Sequence, residues 1–272
     1  MKKIKGINIE EKEIIIIIAV AFLVTVIAFF VSTIELNGSP GEIIGSEDDC
    51  KGVFMDDRDN NEYRIVSIGD QCWFAENLRV DEESLDSLSF KEAGGEWEEA
   101  GNKGEPAYSA PENDPENIED YGALYNWYAV EKTGLCPSGW SVPDDEDWHR
   151  LESHLSDEDQ NCREDRTGSI SCDFAGAKLK SESEHPEAKE WNLPDSNCDT
   201  GDEHDCSGFD SLPAGSRYTS GTSFNAGRRA YFWTATGDGE NAWYRDLRGA
   251  ETGVFRNDSA AGLGMSVRCI RD

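Results

Sequence analysis

The most extended hydrophobic pattern in the chain is an apolar run from Ile14 to Ile34, whose few polar members carry only hydroxyl groups. A helix over this range is about 30 Å long, which matches the hydrocarbon core of a bilayer. Lys2, Lys3 and Lys5 precede the run, and clustered lysines favour the cytoplasmic side of a membrane. The pattern predicts one transmembrane helix with a cytoplasmic N-terminus.

This topology divides the chain into four segments. They are a basic cytoplasmic leader at residues 1–13, the transmembrane helix at 14–34, a linker containing Gly, Ser and Pro at 35–49, and an exported domain at 50–272. A cleaved signal peptide is the alternative, but its hydrophobic core is usually shorter, and no convincing cleavage site follows the run. The prediction is a single-pass membrane protein with its C-terminal domain outside the cytoplasm, at the cell surface.

The leader also resembles that of type IV prepilins, because its basic cluster ends at Gly6 and Glu11 follows five residues later. In that family a peptidase cuts after the glycine, and the glutamate neutralises the N-terminal amine of a neighbouring subunit. The resemblance implies a mature chain that begins at Ile7 and has filament subunits as partners. Lys12 and Glu13 depart from it, since pilins are usually apolar there. An uncleaved signal anchor is therefore preferred to a pilin-like filament subunit.

Within the exported segment, alternation of apolar and polar positions predicts strands at Glu62–Ile68 and Gln71–Ala75. Residues Val80–Asp120 are rich in Glu, Gly, Pro and Asn, which indicates a long surface excursion with little regular structure. Helical spacing of apolar residues then predicts a helix at Tyr121–Lys132.

A second helix is predicted at Asp144–Leu155. Asp144 can cap its N-terminus, and Asp147 three residues later can complete a capping-box-like arrangement. Apolar residues recur at helical spacing and predict a buried stripe. They are Trp148, Leu151 and Leu155.

From Gly208 onward the pattern changes to short strands separated by Gly, Asn and Asp turns. The predicted strands are Phe209–Gly215, Ala230–Thr236, Ala242–Arg248, Gly253–Asn257 and Met265–Arg271. Two helices followed by a mainly antiparallel β region define an α+β domain.

Composition narrows the class of protein further. The chain carries a net charge of −31, and it contains 8 Trp, 8 Tyr and 11 Phe. Disordered chains are depleted in such aromatic residues, so the exported segment is expected to form a sizeable core. A surface this acidic repels nucleic acid, and no nucleic-acid partner is expected.

All eight cysteines follow the linker. An even number confined to an exported segment favours complete pairing into disulfides in an oxidising compartment. Locality favours Cys162–Cys172 and Cys198–Cys206 among the many connectivities that eight cysteines allow. The remaining cysteines can then pair as Cys50–Cys72 and Cys136–Cys269.

Several stretches of the exported segment resemble one family, the Fibrobacter succinogenes major paralogous domain found in bacterial surface proteins. In chain order they are Asp57–Tyr63, Ile68–Leu78, Tyr121–Trp127, Cys136–Pro143 with Trp148, Lys178–Ser181, Gly208–Gly215, Phe232–Thr236 and Ser266–Cys269. The family looks related to the C-type-lectin-like and formylglycine-generating-enzyme folds. The resemblance therefore implies a C-type-lectin-like domain over residues 50–272 and a surface location, without implying a reaction.

No catalytic constellation stands out in the sequence. The four histidines lie in acidic surroundings and outside any Ser/His/Asp or Cys/His motif. They are His149, His154, His185 and His204. An activity like that of formylglycine-generating enzymes would need reduced cysteines, whereas each cysteine here has a candidate disulfide partner. The prediction is a protein that is not an enzyme.

One acidic stretch carries a calcium hypothesis. It places oxygen ligands at nearly alternate positions around a turn, and calcium binds about six to eight such oxygens. The ligands would be Asp195, Asn197, Asp199, Asp202 and Asp205. The EF-hand glycine and terminal glutamate are missing, and a solvated acidic loop pinned by Cys198 and Cys206 is the alternative.

Aromatic and basic residues of the C-terminal strands are the candidate ligand contacts. They are Trp243, Tyr244, Arg228, Arg229 and Arg245. Lectin-like folds bind ligands through loops and exposed aromatics of this half, and core packing is the alternative for each aromatic. Neighbours along a strand point to opposite faces, so at most one of Trp243 and Tyr244 is buried on the core side. The prediction is a surface recognition or adhesion module whose target is a glycan or a surface protein.

Overall fold

A computed structural model describes residues 43–46, 50–92, 94–132, 134–156, 162–181, 191 and 207–272 of the chain. No helix within these ranges is both long and apolar enough to cross a membrane. The leader and transmembrane helix predicted at residues 1–34 lie outside the described ranges and stay predictions.

A six-stranded sheet contains both the first described strands and the last. Its members are β1 (Ile43–Ser46), β2 (Lys51–Met55), β3 (Glu62–Ile68), β4 (Gln71–Phe74), β7 (Trp140–Ser141) and β14 (Ile270–Arg271). They pair antiparallel in the order β1-β2-β3-β4-β14-β7. The two strands predicted at Glu62–Ile68 and Gln71–Ala75 are confirmed. Alternation in β3 buries Tyr63 and Ile65 on one face, whereas Ile68 is buried on the opposite face.

A second, four-stranded antiparallel sheet carries most of the C-terminal strands. Its members are β8 (Ser169–Ser171), β11 (Arg229–Asp238), β12 (Asn241–Arg248) and β13 (Val254–Ala260), in the order β11-β12-β13-β8. The strands predicted at Ala230–Thr236, Ala242–Arg248 and Gly253–Asn257 are confirmed, and each is slightly longer than its apolar pattern.

Two predicted strands are wrong over most of their length. Phe209–Gly215 pairs only through isolated bridges, because Pro213 has no N–H to give to a ladder. Within Met265–Arg271, regular pairing is restricted to Ile270–Arg271, and the residues before it make single bridges.

The surface excursion predicted at Val80–Asp120 is also wrong. Its regular elements are α1 (Gly95–Lys103), β5 (Tyr108–Ser109), a 3-10 turn (Pro111–Asn113) and α2 (Asn117–Tyr121). Trp97 of α1 is only 1% exposed, and its indole Nε1 donates to the Gly262 carbonyl at 3.0 Å. The polar composition of this segment did not predict the burial of Trp97, because the residues that cover its side chain lie far away in the sequence.

The helix predicted at Tyr121–Lys132 begins only at Trp127. Gly122 has a φ of +74°, and a Cβ built on it would lie 2.5 Å from Asn77 Cβ. The chain therefore leaves the helical conformation and approaches Asn77 closely. It forms β6 (Leu124–Tyr125), which pairs with β5, before α3 (Trp127–Lys132) starts.

The second predicted helix is confirmed as α4 (Asp145–Leu155). The Asp147 amide donates to Asp144 at 2.8 Å, and the Asp144 amide donates to Asp147 at 3.1 Å. This reciprocal capping box satisfies two amides that the helix leaves free. Its predicted stripe is buried in a core with aromatic residues of both sheets.

One short helix, α5 (Ala175–Lys178), completes the set, so the described residues contain five α-helices rather than the two predicted. The α+β class is confirmed, because helices are combined with mainly antiparallel sheets. The finer assignment to a C-type-lectin-like fold stays a prediction.

Disulfides join three cysteine pairs, and all three pairs are those that the sequence favoured. They are Cys50–Cys72, Cys136–Cys269 and Cys162–Cys172. No cysteine in the described part of the chain is free. The pair predicted between Cys198 and Cys206 lies outside the described residues.

Candidate functional site

An aromatic surface crosses the C-terminal sheet and the small hairpin beside it. The hairpin consists of β9 (Ser216–Arg217) and β10 (Ser223–Phe224). In the sheet, Tyr231 of β11 lies opposite Asp246 of β12, which in turn lies opposite Phe255 of β13. Tyr244 lies two residues before Asp246, and alternate residues share a face. Three neighbouring strands therefore bring aromatic rings onto one face.

Five rings follow one another in contact, and we call them the aromatic strip. They are Tyr218, Phe224, Tyr231, Tyr244 and Phe255. Successive ring centroids are 3.8, 5.6, 6.1 and 6.4 Å apart. Tyr218 is 49% exposed, three of the rings are half-buried and Tyr231 is buried. Solvent thus reaches four of the five rings.

Planar polar groups border the aromatic strip. Arg229 and Arg248 both donate to the buried carboxylate of Asp246, at 3.3 and 2.7 Å. The guanidinium of Arg248 also lies over the Phe255 ring at 4.1 Å, where a cation is attracted to the ring face. Burial raises the pKa of Asp246, and the two guanidiniums only partly oppose this effect. The strip therefore combines apolar faces with donors that neighbouring groups hold in place.

The predicted ligand contacts divide between the two faces of the sheet. Tyr244 and Arg229 belong to the face of the aromatic strip, and exposed Arg228 precedes them along the chain. Trp243 and Arg245 alternate with Tyr244 and lie on the opposite face. The predicted set is therefore not one contiguous site.

Four rings of the aromatic strip, Tyr218, Phe224, Tyr231 and Phe255, were not among the predicted ligand contacts. Alternation of aromatic and charged residues in β12 and β13, combined with a pairing register, would have placed Phe255 beside Asp246. No local signal marks Tyr218 and Phe224, because the separate β9–β10 hairpin brings them to the strip.

The opposite face of the sheet encloses five charged side chains, which we call the charge cluster. They are Asp145, Glu152, Arg166, Arg245 and Arg256. Arg245 and Glu152 are both 0% exposed, and Arg245 Nε donates to Glu152 Oε1 at 2.5 Å. Arg166 pairs with the other oxygen of Glu152. One buried carboxylate therefore holds two guanidiniums.

Asp145 at the start of α4 completes the charge cluster. It accepts from Arg245 Nη1 and from Arg256 Nη2, both at 2.6 Å. The Arg256 guanidinium lies 3.6 Å from the centroid of the Trp243 ring. Of the predicted ligand contacts, Arg245 thus connects the sheet to α4, and Trp243 packs against the Arg256 guanidinium.

Asp145 should give the domain a specific acid sensitivity. Burial by itself raises the pKa of Asp145, but Arg256 and Arg245 outweigh burial and hold the pKa below its ordinary value of 3.8. The stabilisation that Asp145 contributes is fully present above its unfolded-state pKa. It is lost as the pH falls through the lower pKa of the folded state. We expect the stability difference between wild type and Asp145→Asn to shrink as the pH falls below about 4 in denaturant titrations. A difference that stays constant or widens would contradict this assignment.

Metal binding has little support within the described residues. His149, Glu152 and Cys162 place possible ligand atoms within 4.8 Å of one another, but Cys162 is joined to Cys172. A disulfide sulfur is not the thiolate that binds metals, and Glu152 is already held by two arginines. The residues of the calcium hypothesis at Asp195–Asp205, like His185, lie outside the described part of the chain.

The described residues define an α+β, disulfide-bonded domain with an aromatic strip on one face of its second sheet and a charge cluster on the other. The Fibrobacter succinogenes major domain family matches residues 66–271, and the chain belongs to this family. The family resemblance of the sequence motifs is thereby confirmed. No curated protein and no solved structure matches the chain.

Proposed function

We propose that this protein is a membrane-tethered, extracytoplasmic recognition module that binds glycans through its aromatic strip and is not an enzyme. The observation that carries the proposal is the unbroken row of ring contacts from Tyr218 to Phe255, in which Tyr218 is exposed and three other rings are half-buried. Contiguous apolar patches that reach the surface of a soluble domain mark interaction sites more often than isolated exposed residues do.

A sugar ring is chemically matched to this surface. It presents C–H groups on its faces and hydroxyl groups around its edge, so one face can stack on an aromatic ring while the hydroxyls form hydrogen bonds. The guanidiniums of Arg229 and Arg248 supply donors, and the half-buried side chain of Asn257 supplies a donor and an acceptor. A chain of several sugars could contact successive rings of the strip.

The proposed location rests on two further observations. Three disulfides join all the cysteines that the structure describes, and such bonds persist in oxidising compartments. The apolar run at Ile14–Ile34 has the length of a membrane span. Both support a domain held outside the cytoplasm by an N-terminal anchor.

Glycan binding can be tested with the full chain, purified in detergent and applied to a glycan array. We expect a defined subset of glycans to be bound, and Tyr218→Ala and Tyr244→Ala each to weaken that binding about tenfold, the effect of about 1.4 kcal/mol of lost stacking.

Tyr128→Ala is the matched control, because Tyr128 is a half-buried tyrosine of α3 that lies outside the strip. Thermal unfolding of each variant confirms that it is folded. Unchanged binding by both strip variants, or the absence of any bound glycan, would overturn the proposal.

A further inference from the structure

A polar cavity of about 170 Å³ lies where four separated segments of the domain meet. Its lining includes Asn77 after β4, Gly122 after α2, Asp210, and Arg268 before β14. Each of these residues belongs to a different stretch that carries the family resemblance. The cavity lining shares no residue with the aromatic strip, and a volume of this size holds several water molecules or a small ligand.

Arg268 provides a buried positive charge to this cavity. The residue is only 1% exposed, and Nε donates to Asn77 Oδ1 at 2.9 Å. Nη1 donates to the carbonyls of Phe74 and Phe209, and Nη2 donates to the carbonyl of Asp210. A guanidinium has five N–H donors, so one remains on Nη2 after these bonds.

None of the partners of Arg268 is a carboxylate. Burial lowers the pKa of Arg268 to about 9, and the charges of Asp210 and Glu76 oppose this effect only in part. Those two carboxylates are instead occupied by Arg64, which pairs with Glu76 at 3.1 Å and with Asp210 at 2.8 Å. A buried cation normally has a counter-ion, so Arg268 favours an anion from outside.

Arg79 also lines the cavity and, like Arg268, has no carboxylate partner among the described residues. Arg79 donates to Asn61 Oδ1 at 3.2 Å and to the Glu62 carbonyl at 2.9 Å, and it lies over the Tyr63 ring at 4.8 Å. Among the described residues it forms no ion pair with a carboxylate. Of the three arginines in the lining, Arg64 is thus paired with carboxylates, whereas Arg79 and Arg268 are not.

Negatively charged side chains also line the cavity. Glu119 and Asp120, at the end of α2, contribute exposed carboxylates to the lining. The lining thus combines the buried positive charge of Arg268 with exposed negative charges. A small ligand complementary to both carries a carboxylate and an ammonium group.

We propose that this cavity binds a small zwitterion of the amino-acid class, with its carboxylate on Arg268 and Arg79 and its ammonium group on Glu119 and Asp120. A ligand with only one of the two charges can pair either with the arginines or with the carboxylates of the lining, but not with both. Binding at this cavity does not depend on the aromatic strip.

Calorimetric titration of the full chain with alanine tests the proposal. Acetate and ethylamine serve as probes that each carry one of its two charges. We expect alanine to bind at least tenfold more tightly than either probe. The exposed double variant Glu119→Gln/Asp120→Asn should reduce alanine affinity to that of acetate, and Arg79→Gln should weaken it at least tenfold.

Tyr218→Ala, in the aromatic strip, is the control and should bind alanine as the wild type does. Alanine binding no tighter than that of acetate and ethylamine would overturn the proposal. So would alanine binding that the lining variants leave unchanged. Neither result bears on glycan binding, because the variants of the two surfaces are separate.

Discussion

Replacement of Glu152 by glutamine is expected to destabilise the folded domain by about 3–5 kcal/mol. Glu152 is fully buried and is the carboxylate partner of both Arg245 and Arg166. Glutamine has nearly the same shape but no charge, so the variant leaves the buried guanidinium of Arg166 without a carboxylate partner and leaves Arg245 with Asp145 alone. Removal of one partner from a buried ion pair costs more than the intact pair contributes, because the remaining charge stays desolvated.

Equilibrium unfolding in urea measures this effect. Glu146→Gln is the matched control, because Glu146 is an exposed carboxylate on the same helix. A surface change of this kind should alter the free energy of unfolding by less than about 0.5 kcal/mol. A Glu152→Gln variant within about 1 kcal/mol of wild type would show that the charge cluster does not hold α4 against the sheet.

Removal of the Cys136–Cys269 disulfide by a double replacement with alanine should cost about 4–5 kcal/mol. The bond closes a sequence separation of 133 residues, and the entropy that a crosslink removes from the unfolded chain grows with the size of the loop. It also joins the segment after α3 to the last strand, which lies inside the six-stranded sheet.

The Cys162→Ala/Cys172→Ala variant is the comparison, because this bond spans only 10 residues. We expect it to cost about 3 kcal/mol or less in the same non-reducing urea titration. Equal losses for the two double variants would mean that loop closure does not explain the stability, and that local packing around each bond dominates.

Apart from the Cys136–Cys269 disulfide, which followed once the nearer cysteines were paired, the features that sequence predicted well have local causes. The capping box of α4 needs only Asp144 and Asp147, three residues apart. The strand Glu62–Ile68 follows from alternation over seven residues. The disulfide between Cys162 and Cys172 could also be predicted, because the two cysteines are close in the chain.

The features that sequence missed depend on distant partners. Trp97 lies in a segment with the composition of a loop, yet it is buried because the chain returns at Gly262. Arg245 was predicted to contact a ligand, whereas its partner Glu152 lies 93 residues earlier and draws it into the charge cluster. A strand pattern separates the two faces of a sheet but does not tell which face is covered. Tyr244 was therefore the only ring of the aromatic strip among the predicted ligand contacts.

The most direct measurement of the central claim is hydroxyl-radical footprinting of the full chain with and without the array glycan that it binds most strongly. If the aromatic strip binds this glycan, the glycan protects Tyr218, Tyr244 and Phe255 from oxidation and leaves Tyr128 on α3 unprotected. Protection confined to residues outside the aromatic strip, or no change in the oxidation of its exposed rings, would contradict this claim.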